Sequence, residues 1–361
     1  MDSFVPFMST LGAVLWMFGI LLSAMTLVSL FRIDSWWARI WDFPRAQILV
    51  LLTIELVLIS LYFDTLGMGG SVLLAAVLLS VLYQGYMMFP YTLLGAKQVQ
   101  RTRRVIPENR AKLLFANVLM TNRNSEALRR LIYQVDPDII LTAETDNWWA
   151  EQLAEFESSH PFKVLCPLEN TYGMTLYSRL ELVDPTLKYL VEQDIPSIHT
   201  TVRLRSGVTF ELRCLHPRPP FPTEDETATS RDAELLIVGR ETKIKNEPFV
   251  VMGDLNDVAW SRTNYLFQDI SGLLDPRVGR GFYNTFHARY PFFRFPLDHF
   301  FVSNHFRLVS FRRLPYFGSD HFPVFIELSY EHDATLYQEE LVAEPEQVRE
   351  AIEKIEKALN D

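Results

Sequence analysis

Cysteine is scarce in this sequence. Only Cys166 and Cys214 occur among 361 residues, and their spacing forms neither a CxxC pair nor a zinc-finger arrangement. This scarcity argues against a disulfide-stapled fold and against a structural zinc module. We expect both cysteines to be free thiols, buried in strands.

Basic charge is also scarce where a nucleic-acid surface would need it. Residues 1–100 hold four Lys/Arg and five Asp/Glu, and residues 331–361 hold three and ten, so only −2 of the net charge of −10 falls on residues 101–330. A protein that grips long nucleic acid by its phosphates carries a strong basic footprint. The near-neutral middle region therefore counts against a bulk DNA nuclease.

Charge of either sign is nearly missing from three stretches of the first hundred residues. Residues 3–31 and 71–96 carry none, and residues 46–63 carry only Glu55. Because about 20 apolar residues match the thickness of a bilayer, we expect three transmembrane helices, at about 10–31, 46–63 and 71–95. They form an anchor of residues 1–97 whose partner is the lipid bilayer. Glu55 is expected to hydrogen-bond Gln84 of the third span, and a role in transport is the alternative.

Cations beside these spans predict the orientation of the chain. They lie after the first span and after the third, and none lies in residues 64–70 between the second and third. Lys and Arg collect on the cytoplasmic side of a membrane, so the N-terminus is predicted outside and everything after Lys97 in the cytoplasm, at the cell (inner) membrane. Trp36, Trp37 and Trp41 in the first loop fit an aromatic belt at the membrane surface.

Strand and helix patterns alternate after a basic linker at residues 98–110. The predicted strands are 112–118, 138–142, 163–166, 174–177, 198–204, 209–216, 249–252, 297–302, 307–314 and 324–328, and the predicted helices are 125–134, 147–156 and 226–245. Many strands with few helices indicate an α/β domain at residues 111–330, with two packed sheets and outer helices. The acidic tail, residues 331–361, is predicted to form a helix after Pro345, as a solvated appendage rather than a docked or partner-binding element.

Several metal-binding or proton-handling side chains follow these strands. Asn117 and Glu144 offer an amide oxygen and a carboxylate at neighbouring strand ends, and such oxygen ligands suit Mg²⁺. Asp254 and Asn256 stand two residues apart after Gly253, so on an extended backbone both point to one face. There the carboxylate could orient or deprotonate a water while the amide holds a phosphoryl oxygen.

A second group of candidates lies nearby in the pattern. Asp298 and His321 can pair as carboxylate and imidazole, with the acid fixing the tautomer and favouring a cationic ring. Asp320 is available as a base or metal contact, and His216 ends a strand before Pro217, where it could contact phosphate. Each motif alone has a structural alternative, such as an Asx turn at Asp254.

The order of these motifs, each placed after a strand, resembles the endonuclease/exonuclease/phosphatase superfamily over about residues 110–330. That superfamily includes pancreatic-type deoxyribonucleases, apurinic endonucleases, neutral sphingomyelinases and inositol polyphosphate 5-phosphatases. The resemblance implies a four-layer α/β sandwich of two mixed sheets flanked by helices, and hydrolysis of a phosphoester by in-line attack of water with Mg²⁺, or Mn²⁺, as cofactor.

The resemblance also implies roles for individual residues. It makes Asn117, Glu144 and Asp320 metal-site residues, Asp254 the water-orienting base and Asn256 a phosphate contact. Asp298 and His321 become the paired acid and imidazole, and His216 becomes a second phosphate-binding histidine. His287 and His299 match no required role.

The substrate is less well determined by sequence. Residues 277–295 interleave four arginines with seven aromatic residues, which could form a lid over the substrate, press on the bilayer or simply pack. Our leading hypothesis is a membrane-anchored phosphoesterase acting on a lipid phosphodiester or small phosphoester. The alternatives are a nuclease acting on DNA or RNA, and a catalytically relic membrane scaffold.

Overall fold

The structure, a computed structural model, describes residues 4–66, 69–104 and 106–360. Four helices lie in the first hundred residues: α1 Phe4–Val28, α2 Trp36–Arg39, α3 Arg45–Leu61 and α4 Gly70–Met88. Residues 29–44, between α1 and α3, are called the connector below. It contains α2 and a further helical turn, Ile40–Asp42.

The number of apolar helices differs from the three expected spans. Thr10–Val28 and Gly70–Tyr91 are each long and apolar enough to cross a membrane. The segment between them is a pair of helices, Trp36–Asp42 and Arg45–Leu61, bent by 68°. The described residues therefore contain two candidate spans, or three if the bent pair counts as one. The break falls at Pro44, which has no backbone N–H to donate to the preceding turn and whose φ and ψ of −83° and 28° lie outside the helical range.

The predicted bond between Glu55 and Gln84 is not formed. Gln84 instead donates to Thr26 Oγ1 at 3.1 Å and accepts from Arg45 Nη1 at 3.1 Å. Gln84 thus joins α4 to both α1 and the start of α3. Glu55 is buried, and its Oε1 has no hydrogen-bond partner among the described residues.

Eleven strands of the described residues form two sheets. In chain order they are β1 Arg110–Asn117, β2 Ile139–Ala143, β3 Phe162–Cys166, β4 Met174–Ser178, β5 Glu181–Lys188, β6 Ser197–Arg203, β7 Thr209–Leu215, β8 Phe249–Asp254, β9 Asp298–Val302, β10 Phe306–Arg313 and β11 Val324–Tyr330. The first sheet has the order β10-β11-β1-β2-β4-β3 and the second β5-β6-β7-β8-β9. Both are mixed, because β1 pairs with β2 and β7 with β8 in parallel while the other pairs are antiparallel.

The two sheets pack face to face and carry helices on their outer faces. In β1, Leu113 and Phe115 enter the core between the sheets, whereas Leu114 and Ala116 pack on the outer side, as the period of two in a strand requires. The outer helices are α5 Ser125–Val135 and α6 Asn147–Leu153 on the first sheet, and α7 Thr229–Lys245 and α8 Arg262–Ser271 on the second. This confirms the predicted α/β arrangement of two packed mixed sheets flanked by helices.

Two elements were missing from the sequence-based prediction. β5 is an edge strand with mostly exposed side chains and an interior proline, Pro185, so it lacks the alternation that marks a strand. α8 is rich in residues that favour a helix only weakly, and its ends are set by local caps. Ser261 accepts from the Asn264 backbone nitrogen, and Gly272 ends the helix in the left-handed conformation.

The linker and the tail are both packed on the domain. Val99 is fully buried in the core between the sheets, and Arg101 forms a backbone bridge with Leu308. Helix α9, Pro345–Asn360, buries Ala351 and Ile355 against α7 and α8. The expectation of a solvated appendage is therefore wrong, because the apolar stripe of this charged helix has a partner.

The cysteines are free, as the sequence predicts. Cys214 is buried in β7, but Cys166 at the end of β3 is only half-buried, because β3 lies at the edge of its sheet. The expectation that both are buried is thus corrected for Cys166.

Candidate functional site

The eight predicted site residues come together at one edge of the two sheets. Asn117 ends β1 and Glu144 directly follows β2, while Asp254 ends β8 and Asp298 begins β9. The remaining members are His216 after β7, Asn256 after β8, and Asp320 and His321 between β10 and β11. Six of the eight line one cavity of about 870 Å³: Glu144, His216, Asp254, Asn256, Asp320 and His321.

A buried ion pair forms the centre of the site. His321 Nδ1 lies 3.0 and 3.1 Å from the two carboxylate oxygens of Asp298, and its Nε2 lies 3.4 Å from Asp254 Oδ2. Asp254 and Asp298 are direct partners in the pairing of β8 with β9, which places both acids beside the ring. Burial alone would lower the pKa of His321, but these two carboxylates raise it to about 10. The ring is therefore an imidazolium at neutral pH.

Local contacts fix the orientation of that ring. The His321 backbone nitrogen donates to Ser319 Oγ at 3.0 Å, and the same hydroxyl donates to the Asn117 carbonyl at 2.8 Å. The Phe286 ring lies 5.0 Å from the imidazole, centroid to centroid. The loop before β11 is thereby tied to the end of β1, so His321 is held from both sides.

Asn117 joins two carboxylates of the site. Its Nδ2 donates to Glu144 Oε1 at 2.8 Å and to Asp254 Oδ2 at 3.1 Å. Its Oδ1 accepts from the Leu119 backbone nitrogen at 3.0 Å. Burial raises the pKa of Glu144 to about 7, the Asn117 bond opposes this rise, and the charges of Asp320 and Asp254 add to it.

The turn after β8 positions Asp254 and Asn256. Gly253 has a φ of 147°, and a side chain there would place its Cβ 1.9 Å from the Leu215 carbonyl oxygen, so only glycine fits. Asp254 Oδ1 then accepts from the Asn256 backbone nitrogen at 2.9 Å, and Asn256 adopts the left-handed conformation with a φ of 51°. The Asx turn that was the structural alternative is therefore present, and it builds the site.

Arg231 is a residue of the site that sequence reasoning missed. This buried side chain on α7 donates through Nη1 to the Asn256 carbonyl at 2.9 Å. Its Nη2 lies 2.9 Å from Asp232 and 3.2 Å from Asp257. Arg231 thus holds the turn that presents Asn256. No motif marks it, because the contact joins a helix to a loop 25 residues away.

His216 and Tyr172 form the opposite wall of the cavity. The Tyr172 ring lies 5.5 Å from the His216 ring, and its hydroxyl donates to Glu224 at 2.9 Å. Burial lowers the pKa of His216, and its Nδ1 has no hydrogen-bond partner among the described residues. His216 is therefore a neutral imidazole with an unused nitrogen.

His299 is structural, in agreement with its lack of an expected role. Its ring is fully buried, with Nδ1 2.6 Å from Arg277 Nη2 and Nε2 2.8 Å from the Asp257 carbonyl. Burial lowers the pKa of His299, and the Arg277 cation lowers it further. A neutral ring accepting from Arg277 and donating to Asp257 satisfies both nitrogens.

The donor chemistry of the site fits a hard divalent cation on its Glu144 side. Asp254, Asp298 and His321 place one donor atom each within 4.8 Å of one another. A protonated His321 has no free lone pair, so this trio could act as a ligand set only with the His321 ring deprotonated. Glu144 and Asp320 repel each other electrostatically, and a cation between their oxygens would offset that repulsion. The metal-ligand role of Asn117 stays a prediction, because its amide nitrogen faces the carboxylates.

Two mixed sheets that are flanked by helices and carry a buried Asp–His–Asp cluster at one edge define a class of two-sheet α/β sandwich proteins. The model of the Endonuclease/Exonuclease/phosphatase family matches residues 114–321, more than half of the chain, and this span contains all eight site residues. The chain belongs to the Endonuclease/Exonuclease/phosphatase family. Members of this family are generally metal-dependent hydrolases of phosphoester bonds.

Several solved structures are similar to the chain. They include D. rerio TDP2 humanized by 14 mutations, with 11% identity and a TM-score of 0.49 over 61% of this chain and 99% of that one. A second is the endonuclease/exonuclease/phosphatase from Beutenbergia cavernae DSM 12333, with 18% identity and a TM-score of 0.48 over 62% and 72%. A third is the human Nocturnin catalytic domain with bound sulfate, with 17% identity and a TM-score of 0.48 over 63% and 97%. No curated protein matches the chain.

Proposed function

We propose that the protein is a membrane-anchored phosphodiesterase that uses Mg²⁺, or Mn²⁺, to hydrolyse a lipid phosphodiester or a small phosphoester at the membrane. The observation that carries this proposal is the composition of the catalytic cavity. Its lining combines Asp254 and His321 with Trp36, Trp37 and Trp41 of the connector. A segment that directly follows the candidate span in α1 thus supplies part of the cavity wall.

The ends of the apolar helices support a site close to the bilayer. Tyr91, just after α4, donates through its hydroxyl to the Ala259 carbonyl at 2.6 Å. Tyr265 of α8 donates to the Met87 carbonyl at 3.3 Å. Met88 and Tyr91 pack with Val258, Ala259 and Trp260, a loop that begins two residues after Asn256. The loop that follows the catalytic turn therefore packs against the end of α4, one of the candidate spans.

The described side chains suit in-line hydrolysis. Asp254 is placed to orient an attacking water and take its proton, while Asp298 keeps His321 protonated beside it. The His321 imidazolium then faces the negative charge that develops on the phosphoryl group, and neutral His216 can donate one N–H from the other wall. A divalent ion held by Glu144 and Asp320, with Asn117 beside them, would neutralise charge on a phosphoryl oxygen.

The catalytic set argues against a relic scaffold, and the charge of the cavity argues against a nuclease. Each residue implied by the family resemblance is present and lies at the site. Among the described residues lining the cavity, Arg39 is the only arginine or lysine, and it is paired with Asp34, Asp42 and Asp232. A nucleic-acid strand would find no free cation there for its successive phosphates.

The test uses the full chain, because the connector belongs to the cavity. The protein is purified in a phosphate-free detergent and assayed with Mg²⁺, Mn²⁺ or EDTA against phospholipid vesicles, a chromogenic bis-phosphodiester, plasmid DNA and RNA. We expect metal-dependent cleavage of the phospholipid or the small diester, and a loss of about 10²- to 10⁴-fold in kcat for Asp254→Asn and for His321→Gln.

The matched control is His305→Gln, which removes an imidazole that lies outside the cavity beside Tyr330. It should retain the wild-type rate. Undiminished activity in Asp254→Asn would refute the catalytic assignment. Cleavage confined to DNA or RNA, and lost steeply as salt rises, would replace the lipid substrate with the nuclease alternative.

A further inference from the structure

We propose that the connector is the binding wall for the hydrocarbon chain of the substrate, so that a membrane phospholipid binds with its phosphodiester at Asp254 and its chain along Trp37 and Ile40. This inference rests on the proposed function and specifies how the substrate is selected. The cavity supplies the first argument, since its lining is of two chemical kinds. Part of it consists of the carboxylates and imidazoles of the site, and part consists of six apolar connector residues: Trp36, Trp37, Ile40, Trp41, Phe43 and Pro44.

The size and walls of the cavity suit a ligand larger than a phosphate. Its volume of about 870 Å³ lies near the upper end of the range for small-molecule sites, about 300 to 1,000 Å³. Phe221, Phe293 and Phe295 add further apolar surface to the lining of the cavity. If a phosphate headgroup binds at Asp254, the apolar part of the cavity is available to a hydrophobic group.

Two apolar side chains of this wall are exposed, although the connector residues between them are buried. Trp37 is 48% exposed and Ile40 is 43% exposed, whereas Ala38 and Arg39 between them are buried. The connector therefore presents apolar side chains at the cavity, where the charge of its Arg39 is paired with Asp34, Asp42 and Asp232. An exposed apolar patch rimmed by a polar site is typical of a binding surface.

The wall is built rigidly into the domain. The Trp36 backbone nitrogen donates to the Glu226 carbonyl at 3.1 Å, and the Ala228 nitrogen donates to the Asp34 carbonyl at 2.8 Å, so the connector pairs with the segment before α7. The Phe43 ring packs edge-on against Phe295 at 5.5 Å. A preformed wall of this kind binds a chain without a large ordering cost.

The position of the wall identifies the source of the chain. The connector lies between α1, which contains one candidate span, and α3, and its tryptophans are the residue type that collects at the membrane surface. The apolar side of the cavity is thus continuous in sequence with helices whose exposed faces are themselves apolar, such as Leu27 and Val50. These apolar helices and the tryptophans beside them make a bilayer lipid the favoured source of the chain.

The test measures binding of alkylphosphonates, which present an anionic phosphorus headgroup without a bond to hydrolyse. Methyl-, butyl- and octylphosphonate are titrated calorimetrically into the full chain in a sterol-based detergent that carries no alkyl chain and no phosphate. We expect affinity to rise about three- to fourfold for each methylene that enters the cavity. In the double variant Trp37→Ser/Ile40→Ser the ratio of octyl to methyl affinity should fall at least tenfold.

The matched control is Leu93→Ser/Leu94→Ser, two exposed apolar residues that follow α4 and do not line the cavity. This control should keep the wild-type ratio of octyl- to methylphosphonate affinity. Because partition of the ligand into micelles is equal for all variants, comparison with the control corrects for it. A ratio in Trp37→Ser/Ile40→Ser equal to that of the control would overturn the proposal. So would competition against octylphosphonate by a single-stranded oligonucleotide but not by phospholipid vesicles.

The two experiments distinguish failure of the proposed binding wall from failure of the proposed phosphodiesterase activity. In one outcome, affinity depends on alkyl length, Trp37→Ser/Ile40→Ser abolishes that dependence, and no substrate is hydrolysed. This outcome would support the apolar wall and refute the proposed phosphodiesterase. Hydrolysis with chain-independent binding would keep the phosphodiesterase and refute the wall.

Discussion

The indole nitrogen of Trp260 donates to the backbone carbonyl of Asp42 at 2.7 Å. This single bond joins the connector between the apolar helices to the loop that follows the catalytic turn. The same indole is 1% exposed and packs edge-on against Tyr91 at 5.8 Å, so it also contacts the end of α4. Membrane-side and catalytic segments therefore share one packed interface, and a disturbance of either is expected to reach the other.

Trp260→Phe should destabilise this interface while keeping most of its apolar contact. The buried Asp42 carbonyl loses its donor, which costs about 1 to 3 kcal/mol. We expect a lower midpoint of thermal unfolding for the full chain in detergent. Trp148→Phe is the control, because this half-buried indole lies on the opposite sheet, against Trp149 and Arg123. Equal midpoints for the two variants would contradict the coupling.

Arg231 should act as a positioning residue for the catalytic turn. Arg231→Lys keeps the positive charge but cannot reach the Asn256 carbonyl and the Asp257 carboxylate together, because lysine lacks the planar fork of donors. We expect kcat to fall roughly tenfold, with a smaller effect on KM, in a metal-dependent assay. Arg231→Met should in addition lower the free energy of unfolding by about 3 kcal/mol, because it leaves buried carboxylates uncompensated. A wild-type kcat in folded Arg231→Lys would show that the turn keeps its conformation without the contacts of Arg231.

Sequence patterns predicted the positions of the candidate site residues because strand ends carry local signals. Asn117, Glu144 and Asp254 each directly end an apolar run that is short enough to be a strand, and the family motif order linked them across the chain. The two-sheet architecture followed from the number and spacing of such runs. These features depend on neighbours in sequence, so they are readable without a structure.

Residues that act through tertiary packing carried no such signal. Trp36, Trp37 and Trp41 were interpreted as a membrane-surface belt, and their place in the cavity depends on how the connector pairs with the segment before α7. Helix α9 has an apolar stripe whose partner cannot be read from its own sequence. Long-range docking of otherwise ordinary segments thus accounts for what the prediction missed.

Glu234 should make the stability of the protein depend on pH. This side chain of α7 is 3% exposed, its Oε1 has no hydrogen-bond partner among the described residues, and burial raises its pKa to about 8. The folded state therefore keeps the proton that the unfolded state releases above its ordinary pKa of 4.5. The contribution of Glu234 to the free energy of unfolding is therefore largest below pH 4.5. It decreases by about 1.4 kcal/mol per pH unit up to about pH 8.

Replacement of Glu234 by glutamine removes this titration. The difference in unfolding midpoint between Glu234→Gln and wild type should therefore be larger at pH 8 than at pH 5. Glu339→Gln, at an exposed position, should show no such difference. A gain from Glu234→Gln that is the same at both pH values would show that Glu234 finds a charged partner in the folded protein.

We predict the orientation across the membrane from the cations beside the apolar helices. With the N-terminus outside, the connector, the end of α4 and the catalytic domain would all lie on the cytoplasmic side. A fluorescent reporter that folds only in the cytoplasm should be active when fused behind the last residue, and a phosphatase reporter that needs an oxidising compartment should be silent. The reverse pattern would place the site, and the lipids it meets, on the outer side.

Lys354 should be required for the attachment of α9 to the domain. Its Nζ lies 2.6 Å from Asp34 of the connector and 2.9 Å from Asp232 of α7, and the Asp232 side chain is fully buried. The Lys354 and Arg231 cations hold the pKa of Asp232 well below its usual range despite its burial. Asp232 thus stabilises the fold above its ordinary pKa near 3.8, and this contribution is lost as the pH falls further.

Lys354→Met should therefore lower the free energy of unfolding at pH 7 by about 3 kcal/mol, since it leaves part of a buried charge network uncompensated. Lys357→Met is a close control on the same helix. Lys357 also contacts Asp34, at 3.3 Å, but its side chain is 51% exposed, so its pair contributes at most about 1 kcal/mol. Because Lys354 reaches the connector, its loss should also weaken the octylphosphonate binding that depends on Trp37. Equal unfolding midpoints for the two lysine variants would mean that apolar contacts of α9 alone hold the helix in place.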